Sequence, residues 1–162
     1  MTAAERAVDP AARLQHALDL AYRYLGHRDR TVIEIRRHLE AKRVEPATID
    51  EAVGTLTEQG YLDDARFAQR YTEDRRNLDS WGAERIERKL RDAGVPLEHI
   101  EAALGTQTAD QALDAAIALL RRRYPAPPDD ERGRERALGL LVRRGYDLEL
   151  AYDAVRAFER TG

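Results

Sequence analysis

An internal repeat with a period of 51 residues constrains this chain more than any other feature. Its anchors are Leu39, Leu90 and Leu141. Four residues before them stand Ile35, Ile86 and Ala137; five after come Val44, Val95 and Tyr146. Ten after come Ile49, Ile100 and Ala151, followed by the pairs Ala52-Val53, Ala103-Leu104 and Ala154-Val155. Apolar steps of three and four residues mark one face of a helix, and the break just after each anchor turns the chain into a second one. The repeated element is a helix-turn-helix. Gly94 and Gly145 share its turn position, where a positive-φ helix end suits glycine. The first repeat has Arg43 there, which implies either strain or a different turn.

A longer helix precedes each repeat. Asp9-Pro10 supplies a cap and a first-turn proline for a helix over 10–25 that carries Leu14, Ala17, Leu18, Ala21 and Leu25. Gly26 to Arg30 breaks it, and Thr31 caps the next helix. Pro46 opens a third, with Ile49, Ala52, Val53 and Leu56 on one face and Gly60 at its end. The other leading helices are expected over 64–77 and 109–123. Strand-like alternation of four residues or more is absent. The expected fold is all-α: a tandem repeat of three three-helix modules, spanning 1–62, 63–105 and 106–162, in an elongated, curved arrangement. The third module contains the loop 124–130, with Pro125, Pro127 and Pro128, which reads as stiff and extended. Each module is too small for a strong core of its own and should lean on its neighbours.

At 162 residues with 43% hydrophobic side chains, the chain can bury a real core. Aromatics are only 6%, so that core is built mainly from Leu, Ile, Val and Ala. There is no cysteine, hence no disulfide, thiolate-bound metal or Cys nucleophile. No run reaches the ~20 apolar residues of a membrane span, and Met1 to Arg13, with Glu5 and Asp9, lacks the apolar region of a secretion signal. A soluble cytoplasmic protein is expected.

Of the 27 basic residues only Lys42 and Lys89 are lysine; the rest are arginine, whose planar fork suits carboxylates and phosphates. A GC-rich genome and solvated helix faces account for that bias equally well, so composition alone does not establish nucleic-acid binding. The net charge of −3 argues against free DNA as the main ligand.

One run joins the first two modules: Gly60-Tyr61-Leu62-Asp63-Asp64-Ala65-Arg66-Phe67-Ala68. Gly60 ends a helix, Tyr61 and Leu62 pack across the junction, Asp63 caps the next helix, and Phe67-Ala68 begin its buried face. Acidic residues at a helix start are usually caps, so Asp63 and Asp64 read first as parts of the joint.

This run, with Trp81-Gly82-Ala83-Glu84-Arg85-Ile86-Glu87-Arg88-Lys89-Leu90 and Arg143-Arg144-Gly145-Tyr146, resembles the RecX family of bacterial regulatory proteins. The likeness extends from Arg30 and Glu34-Ile35 to the closing Arg-Gly-Tyr and so covers nearly the whole chain. It implies tandem three-helix modules and a protein that binds the RecA recombinase. Members of the family are understood to lodge in the groove of the RecA–DNA filament, where they restrain its growth, ATP hydrolysis, strand exchange and stimulated cleavage of the SOS repressor. The expected role is therefore regulation of DNA repair and recombination.

Arginines recur in register: Arg37 matches Arg88, and Arg85 matches Arg136. With Arg36, Lys89, Arg143 and Arg144 they form a ladder of candidates for facing the RecA–DNA filament. The competing role is intramolecular pairing with the interspersed Glu34, Glu40, Glu84, Glu87 and Asp92. Arg121, Arg122, Arg123, Arg132 and Arg134 flank the proline loop and are the candidate phosphate contacts, expected to be salt-sensitive. Base-specific reading is not expected, and no aromatic platform for single strands is evident. Trp81 reads as a staple or module contact.

Catalysis is not expected. His16, His27, His38 and His99 are scattered, and the Glu34/His38 pair one turn apart is far more often a surface contact than half a metal site. Phosphate-loop, nucleophile-elbow and dinucleotide motifs are missing. No metal or cofactor is expected; the partner is RecA on single-stranded DNA, with nucleic acid touched weakly or through the filament, and the protein itself is a monomer. Two alternatives stay open: a single-stranded DNA-binding protein that competes with RecA, and a generic α-solenoid adaptor.

Overall fold

The computed structural model describes residues 9–161. Residues 1–8, which hold Glu5 and most of the segment read for a secretion signal, and residue 162 lie outside the described residues. Among the described residues every regular element is an α-helix, so the fold is all-α. In chain order these are α1 (Pro10–Leu25), α2 (Val32–Ala41), α3 (Pro46–Glu58), α4 (Asp64–Asp79), α5 (Ala83–Asp92), α6 (Leu97–Leu104), α7 (Ala109–Arg123), α8 (Glu131–Arg144) and α9 (Leu148–Arg160). None of them is long and apolar enough to cross a membrane. The leading helices fall where the sequence places them, except that α4 continues to Asp79. Two compact units emerge, one of Met1–Phe67 with Ala93–Pro96, the other of Ala68–Asp92 with Leu97–Gly162.

In the first unit, Asp9 caps α1 by accepting the Ala12 N–H at 3.2 Å, with Pro10 in the first turn. Thr31 and Glu34 close a reciprocal capping box on α2, so two otherwise orphaned N–H groups are satisfied. The core is Ala17, Leu18 and Ala21 of α1, Ile35 and Leu39 of α2, Ile49, Ala52, Val53 and Leu56 of α3, and Leu62. Burying each large aliphatic side chain contributes about 1.5–3 kcal/mol. Tyr61 departs from the sequence reading. It is 54% exposed and touches Tyr22 edge-on at 5.5 Å, while Leu62 beside it is buried.

In the second unit, α7, α8 and α9 enclose Ala116, Leu119, Leu120, Ala137, Leu140, Leu141, Ala151, Ala154, Val155 and Phe158, with Tyr146 closing one end. Asp130 caps α8 through the Gly133 N–H at 2.7 Å and Asp147 caps α9 through the Leu150 N–H at 2.9 Å. Helices α5 and α6 pack on each other, with Ile86, Leu90, Ile100 and Ala103 buried.

The repeat explains a pair of joints, one in each unit. Thr31, just ahead of α2, donates its hydroxyl to the Ala93 carbonyl at 2.6 Å and is fully buried there. Gly82, at the same repeat position 51 residues later, donates its N–H to the Arg144 carbonyl at 2.8 Å, and Glu84 adds an N–H to the Gly145 carbonyl at 3.0 Å. Each joint thus seats the start of one repeat helix on the closing turn that lies one repeat further along the sequence.

Close approach, more than φ, is what makes glycine necessary at those turns. Gly94 (φ +78°) and Gly145 (φ +99°) leave no room: a β-carbon would lie 2.6 Å from Ile33 and 2.3 Å from Arg85, respectively. Arg43 takes the same left-handed conformation at φ 61°, so the first turn is strained and not rebuilt. Its side chain is exposed.

Candidate functional site

The sequence-derived arginines separate by what their side chains hold. Arg36 is drawn back onto the protein, with Nη1 2.7 Å from Asp50. Arg85 lies with its guanidinium carbon 4.0 Å from the centre of the Trp81 ring and donates to the Arg143 carbonyl at 3.2 Å. Arg144 donates to the Asp79 carbonyl at 2.8 Å. Arg122 reaches Ser80 Oγ at 2.5 Å, and Arg134 bridges Glu131 and Glu159. In each of these five the guanidinium is engaged by the protein itself.

A second group faces solvent. Arg88, Lys89, Arg136 and Arg143 are exposed, as are Arg121 and Arg132, and their side chains form no ion pair with any of the described residues. Arg123 is exposed beside the Tyr124 ring at 5.4 Å. Arg37 is exposed too. Register thus does not ensure equal surroundings: Arg37 and Arg88 both reach solvent, but Arg85 sits on Trp81 while Arg136 is open.

Trp81 sits in a cluster of alternating rings and cations. Tyr71 meets it edge-on at 6.4 Å, and Arg75 lies 5.8 Å from its ring while pairing with Asp79 at 2.7 Å. A cation over an aromatic face is attracted by the ring's quadrupole. With Arg85 over it, Trp81 is a local contact, as its sequence context indicates.

The two aspartates of the joint cap different helices. Asp63 accepts the Arg66 N–H at 3.0 Å at the start of α4. Asp64 accepts the Val32 N–H, also at 3.0 Å, at the start of α2. The second role was invisible in sequence because the partners are 32 residues apart.

Glu34 and His38 do not share a ligand. Burial works to raise the Glu34 carboxyl, but the hydrogen bond from Arg28, that from the Thr31 N–H, and the charges of Arg28 and Arg30 outweigh it and leave its pKa lowered. His38 stacks on Tyr24 with ring centres 3.9 Å apart and planes within 7°, and Arg30 covers Tyr24 at 3.6 Å. Burial first, then Lys42 and Arg30, lowers the His38 pKa. No group of three or more His, Asp or Glu among the described residues is placed to hold a metal ion.

Two domain profiles match this chain: the RecX first three-helix domain over residues 17–56 and the RecX second three-helix domain over residues 63–104. The regulatory protein RecX of Trichlorobacter lovleyi is 38% identical over 134 residues, which is 80% of this chain and 87% of that protein. The chain belongs to the RecX family. The regulatory protein RecX of Stenotrophomonas maltophilia is 34% identical over 88% of this chain and 85% of its own length. The fold agrees with the crystal structure of RecX from Lactobacillus salivarius, at a TM-score of 0.80 and 19% identity, covering 93% of this chain and 99% of that one. The matched RecX domains contain the Thr31 and Gly82 sides of both joints, together with the Gly60–Ala68 run except its first three residues.

Proposed function

We propose that this protein binds RecA filaments on single-stranded DNA in the cytoplasm and restrains their ATP hydrolysis, strand exchange and coprotease activity, without catalysis of its own. Membership of a family of regulatory proteins, matched in two successive three-helix domains, is the observation that carries the reading. The mechanism rests on the joints. Backbone pressed against backbone has no soft side-chain torsions to yield, so the joint of Gly82 with Arg144 and Gly145 holds α5 and α8 at a set angle. The three modules, over 1–62, 63–105 and 106–162, contact more than one RecA protomer and hold the spacing between them. ATP turnover requires protomers to move against one another, so a clamp across them slows it. Arg88, Lys89, Arg136 and Arg143 are the contacts, being exposed and not paired within the described residues. Arg85 supports Arg143 through its bond to the Arg143 carbonyl.

The deciding experiment is single-strand-dependent ATP hydrolysis by RecA as this protein is titrated in below one molecule per protomer. Strong inhibition that survives added single strands supports filament binding. Inhibition abolished by those strands makes the protein a competitor for DNA instead. No inhibition at all removes RecA as the partner.

A further inference from the structure

We infer that the second unit carries a phosphate-binding cleft formed by the end of α4, one face of α7 and the end of α8. Its cavity, about 520 Å³, is lined by Arg76, Arg122, Arg123 and Arg144 with Ser80 and Asn77, over the small apolar side chains of α7. Such a volume falls in the range of small-ligand pockets. Only one carboxylate, Asp79, stands among the lining residues, and Arg75 already occupies it at 2.7 Å. Four arginines therefore line the cleft, and its one carboxylate is already paired.

Neutral partners hold three of those arginines in place. Arg144 donates to the Asp79 carbonyl at 2.8 Å and Arg122 to Ser80 Oγ at 2.5 Å. Arg76 donates to the Leu104 carbonyl at 2.9 Å and to Thr106 Oγ1 at 2.8 Å. A guanidinium has five N–H donors, so each keeps several for a ligand while its position is fixed. Tyr146, whose hydroxyl donates to the Ser80 carbonyl at 3.0 Å, lies at the focus of this charge. Burial raises its pKa, and Arg122, Arg144 and Arg76 all act against that rise. Ser80 itself is held at φ 55°, a left-handed conformation that costs energy in a residue with a β-carbon.

Packing does not demand these charges. One repeat earlier the position of Arg144 is Ala93 and that of Tyr146 is Val95, and the joint forms there with Thr31 and no arginine. A rigid set of arginine forks with free donors is a site for phosphate oxygens. The phosphate belongs either to a nucleotide or to a nucleic-acid backbone. The cleft is independent of the RecA reading, and its test uses the protein alone.

The test is a titration of isotope-labelled protein with inorganic phosphate, ATP and oligothymidylate, followed by the arginine side-chain and Ser80 amide NMR signals. Saturable shifts confined to the cleft are expected. Tighter binding of ATP than of oligothymidylate assigns the phosphate to a nucleotide, and the reverse order assigns it to a strand; either supports the cleft. The Arg122→Ser/Arg123→Ser variant, altered only at exposed positions, should bind about tenfold or more weakly, as expected from losing hydrogen bonds to a charged ligand. Arg23→Ser/Arg160→Ser, with the same loss of charge elsewhere on the surface, should bind like the parent. Shifts that never saturate, or an equal loss of affinity in both variants, overturn the proposal.

Discussion

The backbones of Gly82 and Gly145 lie so close that a β-carbon on Gly82 would sit 2.5 Å from the Gly145 carbonyl. The contact brings the N–H groups opening α5 onto the carbonyls closing α8, so the positive end of one helix dipole meets the negative end of another. Gly82→Ala must push the two turns apart. A loss of about 1–3 kcal/mol is expected from such overpacking. Gly54 in α3, where a β-carbon would meet nothing within 4 Å, is the control. Gly54→Ala should stabilise by about 0.5–1 kcal/mol, since alanine loses less backbone freedom in a helix. Chemical denaturation of both variants checks the opposite signs.

Arg43 and Gly94 occupy one repeat position with nearly the same backbone, yet replacing them should act in opposite directions. Arg43→Gly removes left-handed strain from an exposed residue and should stabilise by up to about 1 kcal/mol. Gly94→Ala keeps a comparable φ penalty and also drives a β-carbon into Ile33. It should destabilise by about 1–3 kcal/mol. A loss in Gly94→Ala no larger than the gain in Arg43→Gly, read from thermal unfolding, would show that φ alone selects glycine at this turn.

Asp63 and Asp64 are adjacent but support different helices, so their loss should register in different places. Asp63→Ala leaves the Arg66 N–H uncapped and Asp64→Ala the Val32 N–H. Each should cost about 0.5–2 kcal/mol, the usual range for a lost N-cap. Amide hydrogen exchange checks the assignment: α4 should open faster in the first variant and α2 in the second.

His38 gives the first unit a pH dependence. Its pKa is lowered by burial and by Lys42 and Arg30, so the unfolded chain takes up this proton at higher pH than the folded one. Stability contributed by the neutral ring is present above the ordinary imidazole pKa of about 6.5 and is lost as pH falls toward the folded-state value. Phenylalanine preserves a ring to stack on Tyr24 but cannot titrate. Denaturation midpoints measured between neutral and mildly acidic pH should fall less steeply for His38→Phe than for the parent.

How far the sequence reaches depends on the distance over which each residue acts. Leu39, Leu90 and Leu141 could be read as core because helical periodicity is local, and all three are fully buried. Asp9, Thr31 and Pro46 were legible as helix starts for the same reason. The hydroxyl bond from Thr31 to Ala93 spans 62 residues and has no local signature. Arg85 and Arg136 share a register but differ in neighbours, since only the former has a Trp four residues before it. Tyr146 was legible as a repeat position, but its convergence with Arg76 and Ser80 is tertiary and has no local signature; the nearest signal is a Ser-Trp-Gly break closing α4.

Exposure makes Arg88 and Lys89 the sharpest test of which arginines meet a partner. Both lie on α5 with no ion pair to the described residues, so reversing their charge disturbs neither the core nor a joint. Surface changes of this kind usually shift stability by no more than about 0.5 kcal/mol. Arg88→Glu/Lys89→Glu should therefore melt like the parent. If these side chains face an acidic surface of the RecA filament or its DNA phosphates, the same variant replaces two attractions with two repulsions, and inhibition of the RecA ATPase should require about tenfold or more additional protein. Arg36→Glu is the contrast. Its guanidinium is already committed to Asp50, so it should lose stability without a matching loss of inhibition per folded molecule. Full inhibition by the α5 variant would move the contact away from this helix, to Arg136 and Arg143 on α8.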